Sequence, residues 1–206
     1  MKKNNRDQIF LKQSIELKKI GFFGGCFNPP TKVHINLANA LIKSGLVDKV
    51  IFVPVGDYYN KQNLVSAKHR YNMLKLLCNN NKCLDVENIA SIHSNILYAT
   101  DTFKKIYDRY NQLAQIYFIM GSDNFKKMPT WKDYNRIITQ YKFIVIQRFE
   151  DEEQIKKDNV LYYTPEQIQN MNSTQIREMI KQHQNVEEFL EMQELQYIKR
   201  NKLYIN

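Results

Sequence analysis

Short apolar runs alternate with helical patterns along the chain after residue 18. The runs are nearly continuous rather than alternating, which is typical of parallel strands that are covered on both faces. The predicted strands are Lys19–Phe23, Lys49–Val53, Leu84–Val86, Gln115–Met120, Lys142–Ile146 and Val160–Tyr162. The predicted helices are Lys32–Ser44, Ala67–Asn79, Tyr98–Gln112, Trp131–Gln140, Ser173–His183 and Val186–Arg200.

This order of elements predicts an α/β fold, a Rossmann-like open parallel sheet with helices on both faces. Residues 1–18 form a polar lead-in, and about residues 165–206 form a C-terminal helical cap. No internal repeat and no linker rich in Pro, Gly or Ser divides the chain. We therefore expect residues 1–206 to form a single domain.

The glycines of the chain are few and lie at the ends of predicted strands. Only 6 are present, and half of them fall within residues 21–25. Gly24–Gly25 ends the first strand, Gly56 follows the second and Gly121 follows the fourth, whereas Gly45 has the position of a helix C-cap. In an open parallel sheet, ligands bind beyond the carboxyl ends of the strands. Because glycine lets a ligand approach the backbone closely, this edge is the expected site.

The charge and the cysteines narrow the class of protein. The 30 Lys and Arg against 21 Asp and Glu give a net charge of +9, which would suit nucleic acid. The basic residues are scattered among many Asn, Ile and Tyr, however, so a compositional bias explains the charge better and no nucleic-acid partner is expected. Cys26, Cys78 and Cys83 lack metal-binding spacing, which argues against a zinc site and a disulfide framework.

No apolar run approaches the ~20 residues of a membrane helix, and no signal-peptide core follows the basic N-terminus. The expected location is therefore the cytoplasm, with the nucleus left open, and no membrane partner is expected. The sequence also leaves open whether the chain forms a homo-oligomer.

The segment from Gly24 to His34 is the first candidate for phosphate chemistry. It ends a strand in two glycines, contains two prolines and begins a helix near Thr31, which suits an N-cap. His34 then lies in the first helical turn, where free N–H groups and the helix dipole favour an anion. A histidine that faces a phosphate there can stabilise transition-state charge, whereas a purely local hydrogen bond is the competing interpretation. The segment is neither a Walker A loop nor a GxGxxG fingerprint.

The segment Met171–Arg177 is the second candidate. Asn172 suits an N-cap, and Gln175 completes a capping box. Arg177 shares a helix face with the hydroxyl side chains of Ser173 and Thr174. Two hydroxyls, free N–H groups and a guanidinium would cradle a triphosphate, although ordinary capping with a surface arginine explains this segment better when it is taken alone. Two such helix starts in one α/β chain indicate a nucleotide site.

Both segments resemble those of a known family. The first resembles the GxFxPxHxGH-type signature of nucleotidyltransferases related to class I aminoacyl-tRNA synthetases, with Thr31 in place of its first histidine and Val33 in place of its glycine. Asn28 stands where bacterial members commonly have aspartate. Its form Phe-Asn-Pro-x-Thr-x-x-His is similar to the eukaryotic type of nicotinamide/nicotinate mononucleotide adenylyltransferase. The second segment resembles that family's ISSTxIR motif. The resemblance runs from about Lys19 to about Ile180.

Three further segments resemble the same family. The segment Pro54–Lys61, followed by His69-Arg70-x-x-Met73, resembles the end of the family's second strand and the helix after it. Tyr98–Thr102 resembles the SYTxDT stretch near the nicotinate pocket, and Gly121-Ser122-Asp123 resembles the GxD at the end of the fourth strand. Trp131 falls where the family places an aromatic residue that stacks on the pyridine ring.

The resemblance implies transfer of the adenylyl group of ATP to nicotinate mononucleotide, giving nicotinate adenine dinucleotide and pyrophosphate in NAD biosynthesis. Nicotinamide mononucleotide is a further implied acceptor, and Mg²⁺ is expected to enter with ATP rather than at a protein metal site. The implied catalytic residues are His34 and Arg177. The implied ATP-binding residues are Gly24, Gly25, Cys26, Phe27, Thr31, His34, Gly121, Asp123, Asn172, Ser173, Thr174 and Arg177. The implied substrate-binding residues are Asn28, Lys61, Tyr98, Thr100, Thr102, Trp131 and Arg148.

Three alternatives stay open at this point. Phosphopantetheine adenylyltransferases and cytidylyltransferases share the first motif, and the basic charge also fits a non-catalytic RNA-binding module.

Overall fold

The structure is a computed structural model and describes residues 19–57, 63–89, 98–147, 157–166 and 172–205. The strands are β1 (Lys19–Gly25), β2 (Lys49–Pro54), β3 (Leu84–Val86), β4 (Gln115–Gly121), β5 (Lys142–Ile146) and β6 (Val160–Tyr163). The α-helices are α1 (Lys32–Lys43), α2 (Ala67–Cys78), α3 (Ala99–Tyr110), α4 (Ser122–Lys127), α5 (Tyr134–Gln140), α6 (Ser173–Lys181) and α7 (Met192–Arg200). A short 3₁₀ turn, Met128–Thr130, joins α4 to the segment before α5.

All six strands are parallel and lie in the order β3-β2-β1-β4-β5-β6. Phe22 in the middle of β1 pairs with Ile51 on one side and with Phe118 on the other. The predicted open parallel sheet is confirmed. Its strand order reverses between β1 and β4, so the crevice that such sheets offer to a ligand lies beyond the carboxyl ends of these two strands.

Apolar side chains cover both faces of the sheet, because successive residues of a strand point to opposite sides. Phe22 and Phe118 pack with Ile106 of α3 on one face. Val50 of β2 packs with Leu41 of α1 on the other face. The prediction of helices on both faces is therefore confirmed, and the glycine-rich edge is left between the two helical layers.

The C-terminal helices α6 and α7 pack on α2 through a third apolar cluster. Met73 of α2 contacts this cluster together with Ile176, Leu195 and Ile198, all of which are buried. A helical C-terminal portion was expected, and its helices pack on α2, the helix that follows β2 in the chain. The packing brings the end of the chain close to the loops at the carboxyl edge of the sheet.

The prediction of one helix over Val186–Arg200 is wrong in its first part. Residues 187–189 form a turn, with the Phe189 N–H donating to the Val186 carbonyl at 3.0 Å, and α7 begins only at Met192. The Phe189 carbonyl accepts the Lys32 N–H at the start of α1, at 3.0 Å. Apolar spacing alone does not reveal that this carbonyl serves another helix.

The helix predicted from Trp131 begins later than expected. Asp133 has a left-handed backbone, with φ of 61°, and forms the N-cap of α5, so the helix starts at Tyr134. Helix α4 was not predicted, since its 6 residues carry too few apolar positions to show a period.

Candidate active site

The loop after β1 contains the two glycines and the first predicted phosphate motif. A Cβ built on Gly24 would meet no atom within 4 Å, and this residue is exposed, so the end of β1 presents open backbone. A Cβ on Gly25 would lie 2.9 Å from the ring of Phe27. Glycine at this position lets the buried Phe27, itself left-handed with φ of 47°, fold back against the strand.

Side chains from distant helices hold the carbonyl groups of this loop. Arg177 Nη1 of α6 donates to the Asn28 carbonyl at 2.7 Å, and Ser173 Oγ donates to the Pro29 carbonyl at 2.9 Å. The two segments that the sequence singled out therefore contact each other directly, although they lie at opposite ends of the chain. This contact makes them one site.

Arg70 of α2 holds the same loop from the other side. Its guanidinium is fully buried; Nη1 donates to the Cys26 carbonyl at 3.0 Å and Nε donates to the Val65 carbonyl at 2.8 Å. Nη2 lies 3.5 Å from Asp57 Oδ1. Burial lowers the pKa of Arg70 and the Asp57 charge opposes that change, so the group stays cationic.

Sequence reasoning assigned no role to Arg70. The available signal was its position on the buried face of α2, where Ala67 and Leu74 are also buried. An arginine at an apolar position of an amphipathic helix needs carbonyl or carboxylate partners, and those partners lie in the site.

Thr31 and His34 form a pair at the start of α1. Thr31 is the N-cap, as predicted, and its N–H donates to Nδ1 of His34 at 3.0 Å, with Thr31 Oγ1 at 2.8 Å from the same nitrogen. The imidazole packs edge-on against Phe27, at 5.1 Å between ring centroids. Because Nδ1 accepts a backbone N–H, the proton of the neutral ring resides on Nε2. Burial lowers the pKa of His34 to about 4, so the ring is neutral at physiological pH.

Asn172 caps α6 as the sequence predicted. Its Oδ1 accepts the N–H groups of Thr174 and Gln175, each at 3.0 Å, and Gln175 Oε1 accepts the Asn172 N–H at 3.0 Å. The expectation that these N–H groups are free for phosphate is wrong, because the cap already occupies them. Two side-chain donors at this helix start are the Thr174 hydroxyl and the Arg177 guanidinium, which are 3.2 Å apart.

Asp123 lies at the end of β4, beside the crevice. Gly121 is the N-cap of α4, and a Cβ built on it would lie 2.6 Å from Asp123 Oδ1. The glycine thus lets the carboxylate fold over the strand end. Asp123 is exposed and offers its oxygens at the edge next to β1.

The predicted acceptor-binding residues come from two segments that the structure brings together. Thr100 Oγ1, which is buried near the start of α3, donates to the Lys132 carbonyl at 3.0 Å. Lys132 Nζ lies 4.7 Å from the centroid of the exposed Tyr98 ring. Trp131 is half-buried and packs against the core cluster of this face, and Thr102 is also half-buried.

The remaining predicted residues fall into two groups. Lys61 and Arg148 lie outside the described residues. Asn28 is 2% exposed and its amide is bound by protein groups, so the structure directs this side chain away from a substrate.

Across the described ranges of the chain, no group of three or more His, Cys, Asp or Glu side chains is arranged to hold a metal ion. Over the same ranges, no helix combines the length and the apolar character needed to cross a bilayer.

Comparison with known proteins places this geometry in a family. The sequence profile described as cytidylyltransferase-like matches residues 22–179. A protein of Acholeplasma laidlawii named as a probable nicotinate-nucleotide adenylyltransferase is 30% identical over 186 residues, covering 88% of this chain and 95% of that protein. One of the same name from Caldicellulosiruptor bescii is 31% identical over 201 residues, covering 90% and 98%.

A solved structure shares the fold. Nicotinic acid mononucleotide adenylyltransferase of Plasmodium falciparum, complexed with NaAD, superposes with a TM-score of 0.77 at 19% identity, over 91% of this chain and 97% of that one. The chain thus belongs to the cytidylyltransferase-like family and, within it, to the nicotinate-nucleotide adenylyltransferases.

Proposed function

We propose that the protein transfers the adenylyl group of ATP to nicotinate mononucleotide, forming nicotinate adenine dinucleotide and pyrophosphate. The observation that carries this proposal is the junction of the two phosphate-type segments, in which Arg177 and Ser173 donate to the carbonyls of Asn28 and Pro29. This junction lies at the strand ends where an open parallel sheet binds nucleotides. The names of the relatives support the choice of nicotinate as the pyridine.

The chemistry requires positioning more than proton transfer. An oxygen of the mononucleotide 5′-phosphate attacks the α-phosphorus of ATP, and the bond from that phosphorus to the bridging oxygen of the β-phosphate breaks. The attacking phosphate is already ionised, because its second pKa is about 6, so the reaction needs no general base. In-line alignment and stabilisation of charge on the leaving pyrophosphate therefore account for catalysis.

His34 supplies a neutral donor in this scheme. Since Thr31 fixes Nδ1 as the acceptor, the Nε2–H is the group available to a phosphate oxygen. A donor held in place before the substrate arrives pays no reorganisation cost in the transition state.

Arg177 and Thr174 would bind the β- and γ-phosphates that leave. Mg²⁺ would enter with ATP and neutralise part of the triphosphate charge, held chiefly by substrate oxygens. The exposed Asp123 would accept a ribose hydroxyl at the end of β4.

The acceptor would lie toward the start of α3. Trp131 would stack on the pyridine ring, with Tyr98, Thr100 and Thr102 beside it. Lys61 and Arg148 stay predictions as contacts of the mononucleotide, and a cytoplasmic location is part of the same proposal.

The proposal is tested by pyrophosphate release from ATP and Mg²⁺ with each acceptor in turn. We expect release with nicotinate mononucleotide and slower release with nicotinamide mononucleotide, measured in a coupled assay with pyrophosphatase. Two parallel assays test the alternative substrates, one with phosphopantetheine in place of the mononucleotide and one with CTP in place of ATP; these are the competing arms. Faster turnover in either competing arm, or none in any arm, would reject the proposed substrates.

Replacing His34 by alanine should lower kcat by about a hundredfold or more, because the transition state loses a fixed donor. The matched control is His183→Ala, which removes an exposed histidine in the turn after α6. Both variants are compared with the parent protein by circular dichroism and steady-state kinetics. Parent-like turnover in a folded His34→Ala protein would contradict the catalytic role.

The depressed pKa of His34 also predicts a pH dependence of stability. The pKa is about 4 in the folded protein against the ordinary 6.5, so between these values the unfolded state binds more protons. The unfolding free energy should therefore fall as the pH drops through this window. In His34→Asn, the loss between about pH 7 and about pH 4.5 should be smaller by about 2 kcal/mol, as measured by urea denaturation. Identical losses in the two proteins would mean that the histidine is not held neutral.

Replacing Arg177 by alanine should weaken ATP and pyrophosphate binding by about tenfold or more, because charge-assisted hydrogen bonds are lost. Arg136→Ala on α5 is the control, since that side chain is exposed and donates a hydrogen bond to Gln140 on its own helix. Isothermal titration reports the affinities. Equal nucleotide affinity in the two variants would count against a phosphate role for Arg177.

A further inference from the structure

Asn28 is fully enclosed by protein groups rather than directed at a ligand. Its Nδ2 donates to the Asn63 carbonyl at 2.8 Å. Its Oδ1 accepts the Val65 N–H at 3.2 Å and the Tyr204 hydroxyl at 3.0 Å. With 2% of its surface exposed, the side chain acts as a junction between three segments of the chain.

One of those segments is the turn after α7. Leu203 is buried in the C-terminal cluster, and its N–H donates to the Ile198 carbonyl at 3.1 Å. Lys202 and Tyr204 both have left-handed backbones, with φ of 50° and 65°. Residues with a Cβ adopt this conformation uncommonly. In this turn it accompanies an inward placement of Tyr204, whose hydroxyl reaches Asn28.

The Tyr204 hydroxyl retains the proton that it donates to the Asn28 amide oxygen. Burial raises the pKa of this phenol, so it keeps its proton at any working pH. Glu194 adds to this rise, whereas Arg177 and Arg70, the two arginines that hold the loop after β1, act electrostatically in the opposite direction.

Asn28 links this turn to the phosphate machinery through its own backbone. The carbonyl of the same residue accepts Arg177 Nη1 at 2.7 Å, and the next carbonyl, that of Pro29, accepts Ser173 Oγ. A shift of the Asn28 side chain would therefore move the carbonyls that orient Arg177 and the start of α6.

We propose that Tyr204 is a positioning residue for nucleotidyl transfer: through the Asn28 amide, its hydroxyl fixes the loop after β1 and thereby the orientation of Arg177 toward the triphosphate. This inference rests on the proposed function. The inference adds the last turn of the described chain to the active site, although this turn lies outside both phosphate motifs.

Tyr204→Phe tests the inference, because it keeps the ring and removes only the hydroxyl. The matched control is Tyr197→Phe on α7, whose hydroxyl bonds His69 and Asn72, each at 3.0 Å, away from the loop. We expect kcat to fall about tenfold in Tyr204→Phe, with a smaller change in the KM for nicotinate mononucleotide and parent-like kcat in Tyr197→Phe. Parent-like kcat in Tyr204→Phe, or an equal fall in both variants, would overturn the inference.

A second comparison separates positioning through Asn28 from a general loss of stability. If Tyr204 acts through Asn28, kcat of the double variant Asn28→Ala/Tyr204→Phe should equal that of Asn28→Ala. Additive losses would show that Tyr204 acts by another route and would overturn the inference.

Amide hydrogen exchange in the substrate-free protein gives a readout that does not depend on activity. We expect faster exchange over residues 25–28 in Tyr204→Phe than in the parent or in Tyr197→Phe. Unchanged exchange there would overturn the inference even if turnover fell. If the parent protein released no pyrophosphate with any acceptor, the proposed function would fail, and the exchange result would still decide whether Tyr204 holds the loop.

Discussion

The loop that follows β1 depends on side chains from two other parts of the chain for its backbone hydrogen bonds. Pro29 and Pro30 have no N–H groups, and the carbonyls of Cys26, Asn28 and Pro29 accept from α2 and α6. A buried carbonyl that lacks a hydrogen-bond donor lowers the free energy of unfolding by about 1–3 kcal/mol. The loop and the side chains of α2 and α6 that bind it therefore stabilise one another. The nucleotide edge of the sheet thus takes its shape only when helices from both halves of the chain are in place.

A further fixed contact orients His34 at the start of α1. Thr31, which stands where the family signature has its first histidine, is 3% exposed and binds Nδ1 of His34 through its N–H. Its task is to fix the tautomer and the orientation of the remaining histidine. A fixed neutral donor fits a reaction that needs charge stabilisation and no base. Arg70 completes the arrangement, since a buried cation keeps its charge only by binding carbonyls and a carboxylate, and those groups belong to the loops of the site.

The sequence predicted the sheet well because its strands are short, apolar and bounded by glycine or polar residues. The N-caps Thr31 and Asn172 were also predicted correctly, since capping chemistry is local and can be recognised in a few residues. Long-range partners could not be predicted in the same way. The turn at 187–189 interrupts a regular apolar spacing because the Phe189 carbonyl accepts a hydrogen bond from the start of α1. The Asn28 amide oxygen likewise accepts a hydrogen bond from the Tyr204 hydroxyl. Such pairings join residues far apart in the chain and leave no periodic signal.

In the proposed function, segments from opposite ends of the chain form one triphosphate site in front of His34. A crystal structure of the protein with a non-hydrolysable ATP analogue and Mg²⁺ is the decisive measurement. We expect a phosphate oxygen within hydrogen-bond distance of Nε2 of His34 and another within reach of the Arg177 guanidinium, with the adenosine directed across the ends of β1 and β4. A triphosphate bound elsewhere, or one that contacts neither side chain, would disprove this arrangement.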